Sequence, residues 1–338
     1  MKAMVLAAGL GTRLRPLTER WPKPAMPFLG SPLLRYTLKT LSQAGVTSVG
    51  FNTHHLPEVM EVTGREEARR AGMETTFVHE PLIQGTGGGI RGLKAFLEGE
   101  ETFVVFNGDI LFPVALAGLI REHRASHAAA TLLLLPLPAS ENYAAVEMDG
   151  RGRVLRIAGH GPGGEGLSPW HFSGVHVMSP AVFDFMRPSG VEDINREVYP
   201  RMMEAGLAIH GAKAQGYWSD LGTPSRYLAT QAAILENPSL LAPLGDASPF
   251  AHCQKDARLG IYFHGDAAPG AGVRGPALVE RDVQTGDARV GPNVYLGAGV
   301  VLEDGAHVEN AAVFPGTRVA RAERLRGVVA WDAQRMGA

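Results

Sequence analysis

Leu6-Ala7-Ala8-Gly9-Leu10-Gly11-Thr12-Arg13-Leu14 follows a short apolar run, residues 3–7, that reads as a buried strand. Gly9 and Gly11 remove side chains where a backbone has to come close to a ligand, so the amide N–H groups can face phosphate oxygens. Arg13 adds a planar, permanently charged fork for the same oxygens. The stretch lacks the third glycine of the dinucleotide fingerprint and the Gly-Lys-Ser/Thr of the P-loop, so neither of those folds is indicated. On its own, a glycine pair after a strand is weak evidence. The neighbouring segments carry more.

Strand-like and helix-like segments alternate after it. A helix is expected over 32–44, where Leu34, Leu38 and Leu41 share one face, then a strand over 46–52 and a helix over 56–71. A strand over 74–79, a helix over 90–97 and the strongly apolar strand 102–107 follow. Such alternation predicts an α/β, Rossmann-like, mostly parallel sheet covered by helices on both faces, with ligands at the carboxyl ends of its strands. Strand-like 143–148 and 153–157 flank Asp149-Gly150-Arg151-Gly152, a hairpin signal, and a further strand over 174–178 precedes a helix over 224–235.

Pro238, Pro243 and Pro249 mark a linker over 236–258, which leaves 1–235 as one domain and 259–338 as another. In the second, Val290, Leu296, Leu302 and Val308 recur every six residues, with Gly291 and Gly297 following two of them. That rhythm predicts a short left-handed parallel β-helix of about four coils, built from six-residue faces.

At 338 residues the chain is too long for one ordinary domain. A net charge of −2 offers no basic field for a nucleic-acid backbone, so an anionic ligand must be met by local groups. The single cysteine, Cys253, cannot form an internal disulfide, which suits a cytoplasmic protein. The apolar start is short and runs into Arg13 and Arg15, unlike a signal peptide, and no run reaches the roughly 20 residues that span a bilayer. The twelve histidines show no metal-ligand spacing.

The opening stretch continues as Arg15-Pro16-Leu17-Thr18 and then Pro22-Lys23-Pro24. The whole run resembles the signature of the nucleotide-sugar pyrophosphorylases, the sugar-1-phosphate nucleotidylyltransferases. In that family the glycine-rich loop wraps a triphosphate, so the resemblance places Ala8, Gly9, Gly11 and Thr12 on the nucleotide and gives Arg13 and Lys23 the catalytic, charge-neutralising roles. Fixed backbone angles on both sides of Lys23 suit a lysine stem that must be held in place.

Asp109 ends the most apolar strand, where a carboxylate is costly unless it meets a cation or donors. Magnesium held by carboxylates and substrate phosphates answers that need. Asp220, in Trp218-Ser219-Asp220-Leu221-Gly222-Thr223-Pro224, stands before a helix that it could also cap. Both segments resemble those whose aspartates hold the metal in the family, so Asp109 and Asp220 are the expected Mg2+ ligands. Gln84-Gly85-Thr86-Gly87-Gly88-Gly89 resembles the base-binding segment. This implies that Gln84 reads the base edge, with donor and acceptor in one side chain, while Gly87 and Gly88 pack close to the ring.

Weaker matches concern the sugar: Asn142-Tyr143-Ala144 resembles the family's Tyr-Gly segment, with Ala144 in place of the usual glycine; Phe172-Ser173-Gly174-Val175 resembles the strand that lines the sugar pocket; and Asp193 could face the site or cap a helix. A lysine that meets the sugar phosphate in many relatives is missing, its region reading Arg156-Ile157-Ala158-Gly159-His160; Arg156, His160 and Lys213 are the possible substitutes.

The resemblance implies that a nucleoside triphosphate and a sugar 1-phosphate become a nucleoside-diphosphate sugar and pyrophosphate. The overall plan is closest to mannose-1-phosphate guanylyltransferases, which points to GTP. The Thr-Gly-Gly-Gly-Ile segment also occurs in N-acetylmuramate-1-phosphate uridylyltransferases and heptose-phosphate guanylyltransferases. Neither nucleic acid nor membrane is an expected partner, and the β-helix would join like chains. A non-catalytic nucleotide-sugar-binding subunit is the rival reading, but it should have lost Arg13, Lys23 or an aspartate. An acyltransferase β-helix would have only His264 and His307 to work with.

Overall fold

The computed structural model describes residues 1–138, 143–265 and 270–338. In chain order its main elements begin with β1 (Lys2–Leu6), α1 (Leu33–Gln43), β2 (Ser48–Thr53), α2 (Pro57–Arg70) and β3 (Glu74–His79). Then come α3 (Gly85–Gly92), β4 (Phe103–Asn107), α4 (Leu116–Ser126), β5 (Ala130–Pro136), β6 (Ala145–Met148), β7 (Val154–Ile157) and β8 (Ser168–Met178). The last of this set are α5 (Tyr199–Glu204), β9 (Ile209–Lys213) and α6 (Pro224–Glu236).

The strands form one sheet in the order β9-β5-β8-β4-β1-β2-β3, with β6 on the edge of β8 and β7 on β6. β1 lies parallel to both β2 and β4, and β2 parallel to β3. Successive side chains go to opposite faces, as the pleat requires. Ala3 and Val5 meet Leu34, Leu38, Met60 and Leu119 on one side, whereas Met4 meets Ile90, Leu93 and Leu132 on the other. Burial on both faces is why β1 reads as a continuous apolar run rather than an alternating one.

The sheet is more mixed than alternation predicts. β8 runs antiparallel to β4 and β5, because the β6–β7 hairpin reverses the chain before it. Its register against β5 breaks between Phe172 and His176, and Gly174 takes a positive φ of 88° there. A Cβ on Gly174 would lie 2.8 Å from the Asn107 amide at the end of β4, so only glycine fits this kink.

Towards the C-terminus, short strands stack in parallel. Ala277 pairs with Val294, Val294 with Ala311 and Ala311 with Val328, so each step advances 17 residues. Two further parallel stacks pass through 289–290 to 307–308 to 324–325 and through 301–302 to 318–319. Val290, Leu296, Leu302 and Val308 are all buried, as the six-residue rhythm predicts. This strand-rich region is consistent with the expected β-helix.

The two regions share a core. Leu14, Leu17, Met26 and Phe28 from the opening segment cluster with Leu278, Tyr295, Phe314 and Trp331 from the stacks. Segment 236–258 is drawn into the same cluster, since Leu241 and Leu244 are fully buried. On α6, the buried Gln231 amide donates to the carbonyls of Asn293 and Ala311 at 3.2 and 3.0 Å.

Candidate active site

The strand order turns back on itself beside β1, with β2 and β3 on one side and β4 on the other, and the crevice at the carboxyl ends of β1 and β4 is where such sheets bind ligands. A cleft of about 490 Å³ opens there, lined by residues 6–13, Lys23, Pro24, Asn52, Glu80, Gly85, Thr86, Asn107, Asp109 and Gly222 among others. The glycine loop, both catalytic candidates and Asp109 therefore meet in one place.

Each glycine of the loop answers a different need. Gly11 is left-handed, φ 60° and ψ 27°, and a Cβ on it would lie 2.8 Å from Thr18 Cγ2. The Thr18 hydroxyl donates to the Gly11 carbonyl at 2.9 Å and fixes the turn. At Gly9 no protein atom lies within 4 Å of an added Cβ, so the backbone there faces open cleft. Ala8 and Thr12 complete the loop, and Arg13 is exposed to the cleft.

Lys23, only 7% exposed, is held by the two expected metal ligands. Its Nζ donates to Asp109 Oδ2 at 2.9 Å and to the Asp220 carbonyl at 2.7 Å. Asp220 turns its carboxylate to Arg226 and Tyr143, the guanidinium donating to Oδ2 at 2.5 Å and the phenol at 3.4 Å. Burial works against the charge on Asp220, but the hydrogen bond and charge of Arg226, with Lys23 behind them, hold its carboxyl below the usual range. Asp220 does not cap the helix after it: the Thr223 hydroxyl accepts from Arg226 N at 3.2 Å and takes that position. A Cβ on Gly222 would lie 2.9 Å from the Arg13 guanidinium and 3.3 Å from Asp220 Oδ2, so Arg13 and Asp220 face each other across it.

The segment expected to bind the base differs from expectation. α3 starts at Gly85, five residues before the predicted helix, although five of its eight residues are glycine. Glycine disfavours helix, so an outside anchor is needed. It comes from Glu192, whose carbonyl accepts from Gly87 N and Gly88 N at 2.9 and 3.2 Å. Gly87 and Gly88 therefore spend their amides away from the cleft, and Gly85 and Thr86 line it instead. Gln84 does not line it either: its side chain donates to the Leu82 carbonyl at 2.7 Å.

Two lining residues went unnoticed in the sequence. Asn52 accepts from Ala7 N at 2.9 Å and donates to the buried Glu80 at 2.8 Å, and Glu80 accepts from Gln84 N at 2.9 Å. This chain of bonds ties the glycine loop to the segment before α3. Asn and Glu at the ends of adjacent parallel strands were the only available signal.

The sugar-side candidates scatter. Asp193 is a helix cap, its Oδ1 accepting from Asn195 N and Arg196 N at 2.9 Å each. Glu197 reaches back to Asp193 N at 2.8 Å, a reciprocal capping arrangement. Ala144 is exposed, and Asn142 lies outside the described residues. Ser173 is fully buried, its hydroxyl has no partner among the described residues, and its carbonyl accepts from the Trp218 indole at 2.7 Å. Beside it, Tyr143, His171 and Trp218 pack ring to ring, with centroids 4.2 Å apart for the first pair and 4.5 Å for the second. Of the three possible replacements for the missing lysine, Arg156 pairs with Glu147 at 2.9 Å and Lys213 lies 4.7 Å over the Trp170 ring.

The donor set suits a divalent cation of a particular kind. Among the described residues no three His, Cys, Asp or Glu side chains gather as a self-sufficient metal site. Lys23 meets the Asp109 carboxylate and the Asp220 backbone carbonyl, the Asp220 carboxylate pairs with Arg226, and the Asp109 side chain is 45% exposed at the cleft. One or two carboxylates completed by substrate phosphates is how magnesium is commonly held, so these residues fit it.

Residues 2–237 match the family model described as Nucleotidyl transferase. A mannose-1-phosphate guanylyltransferase from Mycobacterium tuberculosis is 32% identical, with 92% of this chain and 82% of that protein covered. A UTP–glucose-1-phosphate uridylyltransferase from Synechocystis sp. is 28% identical, with 96% and 86% covered. Among solved structures, HddC from Yersinia pseudotuberculosis is similar in fold, with a TM-score of 0.56 at 20% identity over 68% of this chain and 96% of that one. No helix among the described residues is long and apolar enough to cross a membrane. The chain belongs to the nucleotidyl transferase family, among the nucleotide-sugar pyrophosphorylases.

Proposed function

We propose that this sugar-1-phosphate nucleotidylyltransferase takes GTP and a mannose-like sugar 1-phosphate. The observation that carries the chemistry is the Lys23 amine, fixed between the Asp109 carboxylate and the Asp220 carbonyl beside the open backbone of Gly9. A sugar-phosphate oxygen attacks the α-phosphorus of the nucleotide; the new P–O bond forms as the bond to the β-phosphate oxygen breaks, and pyrophosphate leaves with that electron pair. The nucleophile is already an anion, so no general base is required. The protein has to align two mutually repelling anions and neutralise their charge. Lys23 and Arg13 serve the triphosphate, with the amides of Ala8, Gly9, Gly11 and Thr12 on its oxygens. Asp109 and Asp220 would hold magnesium, which when bound supplies further charge neutralisation at the phosphates.

The relative at 32% identity supports the choice of GTP and mannose 1-phosphate. The Synechocystis relative, matched over more of this chain, favours UTP and glucose 1-phosphate as the second reading. Division into a catalytic region 1–235, a joining segment 236–258 and a left-handed parallel β-helix 259–338 belongs to the same proposal. So do assembly of like chains through that last region and a cytoplasmic location. The test is pyrophosphate release from each of the four NTPs against a panel of sugar 1-phosphates. GTP with mannose 1-phosphate should give the highest kcat/KM. A higher value for another pair moves the assignment to that pair, and no release from any pair leaves a nucleotide-sugar-binding subunit.

A further inference from the structure

Outside the groups assigned to chemistry, one carboxylate is buried more completely than any of them. Glu192 is 0% exposed. Burying a charge costs several kcal/mol unless it is paired and hydrogen-bonded throughout. Three arginines, from two helices and a loop, do that here. Arg91 of α3 donates at 3.3 Å, Arg201 of α5 makes a close hydrogen bond, and the Arg187 guanidinium lies 3.7 Å away while its backbone N–H donates to both oxygens at 3.2 Å.

The backbone of the same residue grips the segment that borders the cleft. Glu192 N donates to the Gln84 carbonyl at 2.8 Å, and the Glu192 carbonyl accepts from Gly87 and Gly88. Two residues on, Ile194 N donates to the Thr86 hydroxyl at 3.0 Å. The fit leaves no slack: Gly85 has a φ of 74°, and a Cβ on it would come within 2.5 Å of the Glu192 carbonyl. Segment 84–88 thus takes its shape from a residue more than a hundred positions later.

We propose that Glu192 is a positioning residue for nucleotide binding. Its carboxylate gathers three arginines and so fixes its own backbone, and that backbone holds Gly85 and Thr86 in place along the cleft. The proposal rests on reading this part of the cleft as the nucleotide site. Glu192 itself does not line the cleft.

Steady-state kinetics on Glu192→Gln and Arg201→Gln, with both substrates varied, test it. Arg91 and Arg201 keep 16% and 35% of their side chains exposed, so each can turn towards water once the carboxylate is neutralised. Glu192→Gln should raise KM for the nucleotide about tenfold, and Arg201→Gln about threefold, while KM for the sugar 1-phosphate changes less than about twofold. Arg201→Lys should recover most of the loss. A merely structural role would lower thermal stability and active fraction without separating the two KM values. Folded variants with unchanged nucleotide KM, or with both KM values raised alike, overturn the proposal. Where Glu192→Gln does not fold, Arg201→Gln decides alone. Failure of the unaltered chain to use any NTP overturns the nucleotide reading itself, which keeps the two outcomes distinct.

Discussion

At the proposed triphosphate end of the cleft, the glycine loop, Arg13 and Lys23 come from one short piece of chain directly after β1, and Asp109 joins them from the end of β4. The aromatic end, just outside that lining, gathers His171 of β8, Arg226 of α6 and the loop residues Tyr143 and Trp218 beside Asp220. Asp220 joins the ends, giving its carbonyl to Lys23 and its carboxylate to Arg226. The contrast teaches where specificity can be written. Phosphate recognition can be carried by local backbone. A pocket built from distant side chains can be changed piece by piece without disturbing the loop.

The strongest way to break this contrast is to remove charge at the triphosphate end. Lys23→Ala and Asp109→Ala should each lower kcat by at least about a thousandfold while the fold survives, more than any single change at the aromatic end. Near-normal pyrophosphate release from either purified variant would remove that residue from the proposed machinery. Arg13→Ala should cost at least about 2 kcal/mol of transition-state stabilisation, and unchanged kcat/KM would place it outside the site.

Comparing two glycines sharpens the reading of the loop. Gly11→Ala forces a side chain into a left-handed position and against Thr18, so it should cost about 1 kcal/mol of stability or more. Gly9→Ala meets no protein atom, so its melting temperature should stay put while KM for the nucleotide rises. If both stability and KM stay unchanged, phosphate does not approach the backbone at Gly9.

Asp193→Ala should cost about 1 kcal/mol of stability through the lost cap and leave KM for the sugar 1-phosphate alone, while Asp193→Asn keeps both. A selective loss of sugar affinity would restore Asp193 to the binding surface.

The smallest effect concerns pH. The Asp220 carboxyl is held below its ordinary range, so its contribution is fully present above the unfolded-state value and is lost as pH falls through the folded one. The stability gap between the unaltered chain and Arg226→Leu should therefore be constant at neutral pH and close below roughly pH 4. A gap that persists unchanged at lower pH would show that Arg226 acts through packing on Tyr143 instead.

Much of this was readable in advance because it depends on neighbours in sequence. The buried strand β1, the turn at Gly11 and the place of Lys23 between two prolines are local, and Asp109 comes two residues after β4. The recurring apolar residues from Val290 to Val308 show in sequence because each step of the stacks repeats the same local geometry. The shape of segment 84–88 is not legible in sequence, for the opposite reason. A glycine-rich run says nothing of what will accept its amides, and here the acceptor is Glu192. Asp193 was ambiguous because an aspartate before a helix looks the same whether it caps or binds.

By itself, then, the sequence determined the strand-and-glycine loop, the two charged positions beside it, the alternating core and the repeat at the C-terminus. Period and turn chemistry act over a few residues, and that is enough to specify them. The tertiary structure alone decided that β8 runs antiparallel, that Asn52 and Glu80 tie the loop to its neighbour, and that Glu192 holds α3 in place. It also decided that Lys23 would lie between two aspartates 111 residues apart, Asp109 and Asp220. Those outcomes require distant groups to satisfy one another's hydrogen bonds and charges once water is excluded, and no local pattern encodes which partners will meet.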